Sequence, residues 1–245
     1  MDKNKKISVV IPCFNESENV PLVIQQFQKI INNSYKNLEI IVVDGCSTDN
    51  TPDVLKTCFK DLDDNHFKLV LMSQRNGYGY DIVHGLSHTT GDILSWTHAD
   101  LQTDPSDIIK AYELYERSKK ESDKVFVKGN RKNRSILGNV FTFGMQIVTF
   151  FMLKVYLSDI NAQPKLFDRD FYNKFLKNNS PNDFSLDLHA MYMAKKNGYK
   201  IQTFPVYFSK RLHGEAKGGD GSWSNRLNLV KRTFKYIKKL RLAYA

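Results

Sequence analysis

Apolar residues occur in short unbroken runs, separated by longer stretches with helical spacing. Ile7–Pro12, Leu38–Val43, Phe67–Met72 and Asp92–Thr97 are too short for helices and rich in strand-forming side chains, which predicts four strands. Between them, Glu18–Ile31 places Val20, Val23, Ile24, Phe27, Ile30 and Ile31 on one helical stripe. Pro52–Phe59, behind a Ser47 or Thr48 cap, Gly79–His88 and Pro105–Glu116 predict three more helices, the last opened by proline at its first position. Strands that are apolar throughout are covered on both faces. Strand–helix repetition then predicts an α/β fold with a mostly parallel central sheet flanked by helices.

The remainder is less regular. Lys124–Lys128 and Ile201–Phe208 read as strands. Val140–Leu157 is apolar nearly all round, so it is either buried or set in a membrane interface, and it fits a dimer face as well as a membrane foot. Asp183–Lys196 has acids in its first turn and lysines in its last, matching the helix dipole. Gly214–Gly221 is a glycine-rich loop. Trp223–Leu242 predicts an amphipathic helix with Trp223, Leu227, Val230, Phe234 and Ile237 on one stripe and basic residues elsewhere. The division expected is one domain over 1–221 and a C-terminal amphipathic helix over 222–245.

Composition changes this picture little. With 41% apolar and 25% charged residues in 245, the chain has ordinary globular composition. Three cysteines without C-x-x-C spacing point to a reduced, intracellular setting rather than a disulfide scaffold. The first residues lack the apolar stretch of a signal peptide. No window approaches the ~18 uninterrupted apolar residues of a membrane span. The expectation is a cytoplasmic protein, soluble or peripheral at the membrane.

Charge changes it more. The net charge is +10, and +8 of it lies in Lys210–Ala245. A basic tail on a near-neutral body fits an anionic partner such as nucleic acid, acidic lipid or phosphate, and equally a solvated helix face. Nucleic-acid binding calls for basic residues interleaved with exposed aromatics. Here the aromatics share the apolar stripe, so no nucleic-acid partner is expected.

Ligands of parallel α/β sheets bind beyond the carboxyl ends of the strands. There the chain carries Cys13-Phe14-Asn15-Glu16, Asp44-Gly45-Cys46-Ser47-Thr48-Asp49 and His98-Ala99-Asp100-Leu101-Gln102. Helix capping accounts for Asp49 and Asp107 but poorly for Asp100, which precedes its helix by several residues. No G-x-G-x-x-G follows the first strand, and no G-x-x-x-x-G-K-[ST] loop exists, which argues against dinucleotide and P-loop enzymes. In an extended segment His98, Asp100 and Gln102 project to one side. Together they suit Mg²⁺ or Mn²⁺ bridged to phosphates, although a buried, satisfied histidine explains His98 as well.

These segments, with Lys128-Gly129-Asn130-Arg131, Pro164-Lys165-Leu166-Phe167-Asp168-Arg169 and Arg211-Leu212-His213-Gly214-Glu215-Ala216-Lys217, occur in an order that resembles family-2 glycosyltransferases of the GT-A (Rossmann-like) fold. The second half looks most like the dolichyl-phosphate mannose synthase and polyprenyl-phosphate glycosyltransferase branch. The resemblance implies an inverting, metal-dependent hexosyltransferase with a GDP- or UDP-sugar donor. Pro12, Phe14, Asn15, Glu16, Asp44, Ser47 and Asp49 would hold the nucleoside. His98, Ala99 and Asp100 would lie at the diphosphate, with His98, Asp100 and Gln102 as candidate metal ligands (Mn²⁺ or Mg²⁺). Arg131, Arg211 and Lys217 would meet phosphate. Where the family usually has Asp-x-Asp, His98 replaces the first acid, which implies either a site that prefers manganese or one in which Asp100 holds the metal alone.

The acceptor decides whether a base is needed. A lipid phosphate is already anionic; a glycan hydroxyl needs a carboxylate. Asp183 and Asp187, at i and i+4 of the expected helix, are candidates for that base, and equally plain dipole acids. The basic tail and the apolar helix favour a lipid-phosphate acceptor at an acidic membrane surface.

Overall fold

In the computed structural model of the chain, the described residues are 5–33, 35–133, 136–209, 211 and 223–244. Four strand–helix units come first: β1 (Ile7–Cys13), α1 (Val20–Asn33), β2 (Leu38–Asp44), α2 (Thr51–Phe59), β3 (Phe67–Leu71), α3 (Tyr78–Ser87), β4 (Ile93–Trp96) and α4 (Asp107–Lys119). They are followed by β5 (Val125–Lys132), α5 (Ile136–Leu153), β6 (Lys165–Asp168), α6 (Arg169–Phe171), which runs on as a π turn (Tyr172–Leu176), α7 (Leu186–Lys196), β7 (Lys200–Tyr207) and α8 (Trp223–Tyr244).

The strands form one sheet in the order β3-β2-β1-β4-β6-β5-β7. Every strand but β6 runs the same way; β6 is antiparallel to both β4 and β5. The register pairs Cys13 with Asp44, Asp44 with Leu71, and Val10 with Trp96, so β1 to β4 end on one edge. β6 begins on that edge, with Lys165 opposite Trp96 and Lys128.

Strand side chains alternate between two cores. Val9, Ile11, Ile40 and Val42 join Phe27 of α1 and Ile108 and Tyr112 of α4. Val10, Ile41, Val43, Leu94 and Trp96 join Ile82 and Leu86 of α3, with α7 and the end of α8. α3 packs close because residue 85 is glycine: a Cβ there would lie 2.5 Å from Val10 Cγ1 and 2.7 Å from Val43 Cγ2.

The parallel sheet and its flanking helices match the sequence expectation. β6 and α6 had no counterpart in it. α7 starts at Leu186, later than the expected Asp183, because the Asp183 carboxylate turns back to accept the Ser185 N–H (2.9 Å). Asp183 therefore lies before the helix, and it does not share a helical face with Asp187. The expected C-terminal helix is present as α8, which buries Ile237 and Leu240 rather than Phe234, 37% exposed. Gly214–Gly221 lies outside the described residues.

Candidate active site

The carboxyl edge of the sheet carries a run of interlocked turns. The turns beyond β1, β2 and β4 each hold a non-glycine residue at positive φ: Asn15 (54°), Cys46 (62°) and Leu101 (55°). Such conformations cost energy and gather at functional sites. Side chains over-determine the first two turns. Asn15 Oδ1 accepts the Thr48 N–H (2.8 Å), Asn15 Nδ2 donates to Thr48 Oγ1, and the Asn15 N–H donates to Ser47 Oγ. Asp44, 2% exposed, accepts from the Ser47 hydroxyl at one oxygen and the Ser47 N–H at the other. Asp49 accepts from the Thr51 N–H and hydroxyl, and the Glu16 N–H donates to Thr51 Oγ1. Pro12 and Phe14 are half-buried in the same wall.

The Arg75 guanidinium lies over the Phe14 ring, 3.3 Å from its centroid. Asp81, on the buried side of α3, sits against Gly45, where a Cβ would meet its Oδ2 at 2.5 Å. Burial pushes the Asp81 carboxyl up to about 6, with Arg75 opposing and Asp44 adding to the rise. Burial also raises the Cys13 thiol well above its usual range, and the neighbouring carboxylates Asp44, Glu16, Asp81 and Asp49 reinforce it. The thiol therefore stays protonated. This part of the edge is acidic, aromatic and turn-rich.

β4 ends at Trp96, and Leu101 bends the backbone between Asp100 and Gln102. The one-sided projection expected for His98, Asp100 and Gln102 is not formed, because an extended strand does not continue that far. Asp100 Oδ1 accepts the Gln102 N–H (3.1 Å), and among the described residues nothing donates to Oδ2. Gln102 is tied to the end of β7 in both directions: its Nε2 donates to Ser209 O (3.2 Å), and the Ser209 N–H donates to its carbonyl. The His98 ring stacks on Tyr78, which stacks on Phe184 (centroids 5.9 and 4.7 Å apart). Ala99 is buried against the α1–α4 core. A half-buried carboxylate with one oxygen unclaimed, beside a borderline imidazole, fits a hard divalent cation. Among the described residues no third acid, histidine or cysteine completes a metal cluster, so further ligands would come from substrate phosphates and water.

The expected phosphate-binding residues are placed less simply. Arg131 is engaged by Asp159, whose carboxylate accepts from Nε (3.0 Å), Nη2 and the Arg131 N–H. Arg211 forms an ion pair with Glu16, joining the segment after β7 to the turn after β1. Lys217 lies outside the described residues.

Asp187 is 2% exposed, and its Oδ1 accepts from Lys165 Nζ (2.5 Å), Gln163 Nε2 (2.9 Å) and Trp96 Nε1 (3.3 Å). Burial pulls Lys165 toward its neutral form, and Asp187 opposes it. The neighbouring Lys128, also fully buried, is lowered to about 7, chiefly by burial. The Asp187 and Asp100 carboxylates both add to the burial that raises the Tyr78 hydroxyl. Asp187 thus anchors a buried polar network that reaches Tyr78 through Gln163 Nε2.

Sequence reasoning missed Arg75, Asp81, Tyr78 and Asp159. Arg75 was findable, since the turn after β3 sits on the same ligand-binding edge as the other three.

The glycosyl transferase family 2 model matches residues 8–180. The chain belongs to that family. Its fold is shared by glucosyl-3-phosphoglycerate synthase from Mycobacterium tuberculosis in complex with Mn²⁺, UDP and phosphoglyceric acid (TM-score 0.72, 15% identity, 97% of this chain and 78% of that one). The same synthase with Mg²⁺ and UDP gives TM-score 0.73 at 15% identity over 97% of this chain and 79% of that one. A mannosyltransferase from Pyrobaculum calidifontis with GDP-Man and Mn²⁺ gives TM-score 0.60 at 21% identity, covering 86% of this chain and 59% of that one. The GT-A fold expected from sequence is thereby established.

Proposed function

We propose that this family-2 glycosyltransferase moves a sugar, with inversion, from a nucleoside-diphosphate sugar to a polyprenyl-type lipid phosphate at an anionic membrane surface. The observation that carries the acceptor reading is the pairing of α5 and α8. Phe143, Ile147, Phe150 and Phe151 recur at helical spacing on α5, and all are exposed, Phe151 by 65%. α8 packs against α5 and exposes Lys231, Arg232, Lys235, Lys238, Lys239 and Arg241. An apolar stripe beside a basic helix is what an interfacial anchor on acidic lipid requires. Among the described residues no helix is long and apolar enough to cross a membrane.

The acidic wall around Asp44 suits the N–H and hydroxyl donors of base and ribose. Asp100 would hold a divalent cation, with His98 beside it, and such a cation would offset charge on the diphosphate leaving group. The chain's part is to hold the anomeric carbon in line with the acceptor oxygen. The acceptor's phosphate attacks as an anion and needs no base. The commitment of Asp187 to Lys165 agrees with this.

The test gives labelled UDP- and GDP-sugars to the enzyme with Mn²⁺, offering polyprenyl phosphate in anionic vesicles or a soluble glycan. Product on the lipid, a fall of roughly 10²-fold or more for Asp100→Asn, and vesicle binding that weakens with salt are expected. Replacing Lys231, Lys235, Lys238 and Lys239 by Gln should release the enzyme from vesicles without unfolding it, because all four are exposed. Transfer to the glycan alone would overturn the lipid acceptor.

A further inference from the structure

The floor of the nucleoside wall holds a carboxylate that the fold leaves unsatisfied. Asp81 is 4% exposed, and its Oδ1 is buried without a hydrogen-bond partner among the described residues. Native proteins seldom tolerate this, because a buried acceptor without a donor loses its hydration for nothing. A second carboxylate, Asp44, lies close enough to disfavour its ionisation. Among the described residues the cation that acts on Asp81 is Arg75, which does not bridge to it and stacks on Phe14 instead. What sits on the aromatic face is thus a planar group edged with N–H donors, beside two carboxylates.

The nucleobases differ sharply as replacements for that guanidinium. Uracil offers one N–H between two carbonyl oxygens, and those oxygens would face carboxylates. Cytosine and adenine each offer a single exocyclic amine. Guanine offers N1–H and N2–H₂ side by side, an edge that is itself a guanidine fragment and pairs with a carboxylate through two parallel hydrogen bonds. We infer that Asp81 is the base-specificity residue of the donor site and selects guanine, so that the donor is a GDP-sugar. This rests on the donor reading given above and deepens it. Gly45 is part of the device: any side chain there would collide with the Asp81 carboxylate and close the approach.

The choice of base can be read apart from the choice of acceptor. Binding of GDP, inosine diphosphate, UDP and ADP is measured by calorimetry on the full chain with Mn²⁺, for the wild type and Asp81→Asn. Inosine diphosphate is the decisive probe, because it lacks only the 2-amino group. The wild type should bind GDP at least 10-fold more tightly than UDP and about 10-fold more tightly than inosine diphosphate, the scale of a lost hydrogen bond to a charged group. Asp81→Asn should weaken GDP by 10-fold or more, reduce the GDP-to-inosine ratio to near one, and leave UDP within about threefold. The variant removes a buried unpaired charge, so it folds, and a melting curve run beside it verifies this. UDP binding more tightly than GDP in the wild type would overturn the guanine assignment and keep the donor reading. Equal losses of GDP and UDP in the variant would overturn Asp81 as the selector. Failure of every nucleoside diphosphate to bind would overturn the donor reading as well.

Discussion

Asp187 shows how residue type and residue role separate at this site. A carboxylate near the start of a helix, in a chain resembling glycosyltransferases, reads either as a general base or as a plain dipole acid. In the fold it anchors Lys165, Gln163 and Trp96 inside a buried network. A buried pair of this kind costs most when it is halved, since the survivor keeps its desolvation and loses its partner. Asp187→Asn should lower stability by about 3–5 kcal/mol. The double change Lys165→Met with Asp187→Leu should recover most of that loss. Urea midpoints of the three proteins decide it: a double variant no more stable than the single one refutes the pairing argument. Asp44 and Asp100 were legible from sequence because each follows an apolar strand run, where the ligand edge must be. Asp81 was not, because it lies within α3, where Ile82 and Leu86 set the apparent pattern and nothing local shows that position 81 faces the site.

Legibility at the scale of elements followed length and burial. β1 to β4 are apolar runs closed by turn residues, and their helices carry strong stripes. β6 is only Lys165–Asp168, begins just after Pro164, and pairs antiparallel on both sides, so no crossover helix announces it. Its lysine is also buried, against the usual behaviour of that side chain. The glycine of α3 was visible as a residue but not as a contact. Its missing side chain lets α3 lie directly on Val10 and Val43 and so brings Asp81 down to Gly45. Gly85→Ala would gain helix propensity of up to about 1 kcal/mol, yet it forces a methyl group onto two branched side chains. Overpacking of this sort costs about 1–3 kcal/mol, and the net change should be destabilising. A thermal midpoint lowered by roughly 2–6 °C is expected, together with weaker nucleotide binding as α3 is pushed off the sheet. An unchanged or raised midpoint would mean that the strands yield freely at that crossing.

Across the whole molecule the two edges of the sheet carry opposite electrostatics. At the amino edge, Glu39 is fully buried yet satisfied. Burial alone would raise its carboxyl, but hydrogen bonds from Lys68, Ser8 and Thr90 outweigh it and hold it at about 2, with Lys6 also near (3.3 Å). At the carboxyl edge, Asp81 is buried and unsatisfied, at about 6. Glu39 titrates lower in the folded chain than in the unfolded one. Its contribution, about 3 kcal/mol, is complete above pH 4.5 and is lost as pH falls toward 2. Asp81 titrates higher in the folded chain, so it stabilises below pH 3.8 and loses roughly 3 kcal/mol as pH rises through about 6. These two groups together place maximum stability of the free protein between about pH 4 and 5. Glu39→Gln should flatten the acid limb, and Asp81→Asn should flatten the limb between pH 4 and 6 and raise the neutral melting point. Bound nucleotide with Mn²⁺, held at a fixed concentration of about 100 times its Kd at pH 7, adds roughly 2.7 kcal/mol at that pH. That gain should grow from pH 5 to 7 in the wild type, as Asp81 ionises and finds its donors, and should stay level in Asp81→Asn. Melting curves of the three proteins over this range, with and without GDP, test the whole scheme. A wild-type profile still rising through pH 6, or one that Asp81→Asn leaves unchanged, would refute Asp81 as the group that trades stability for binding.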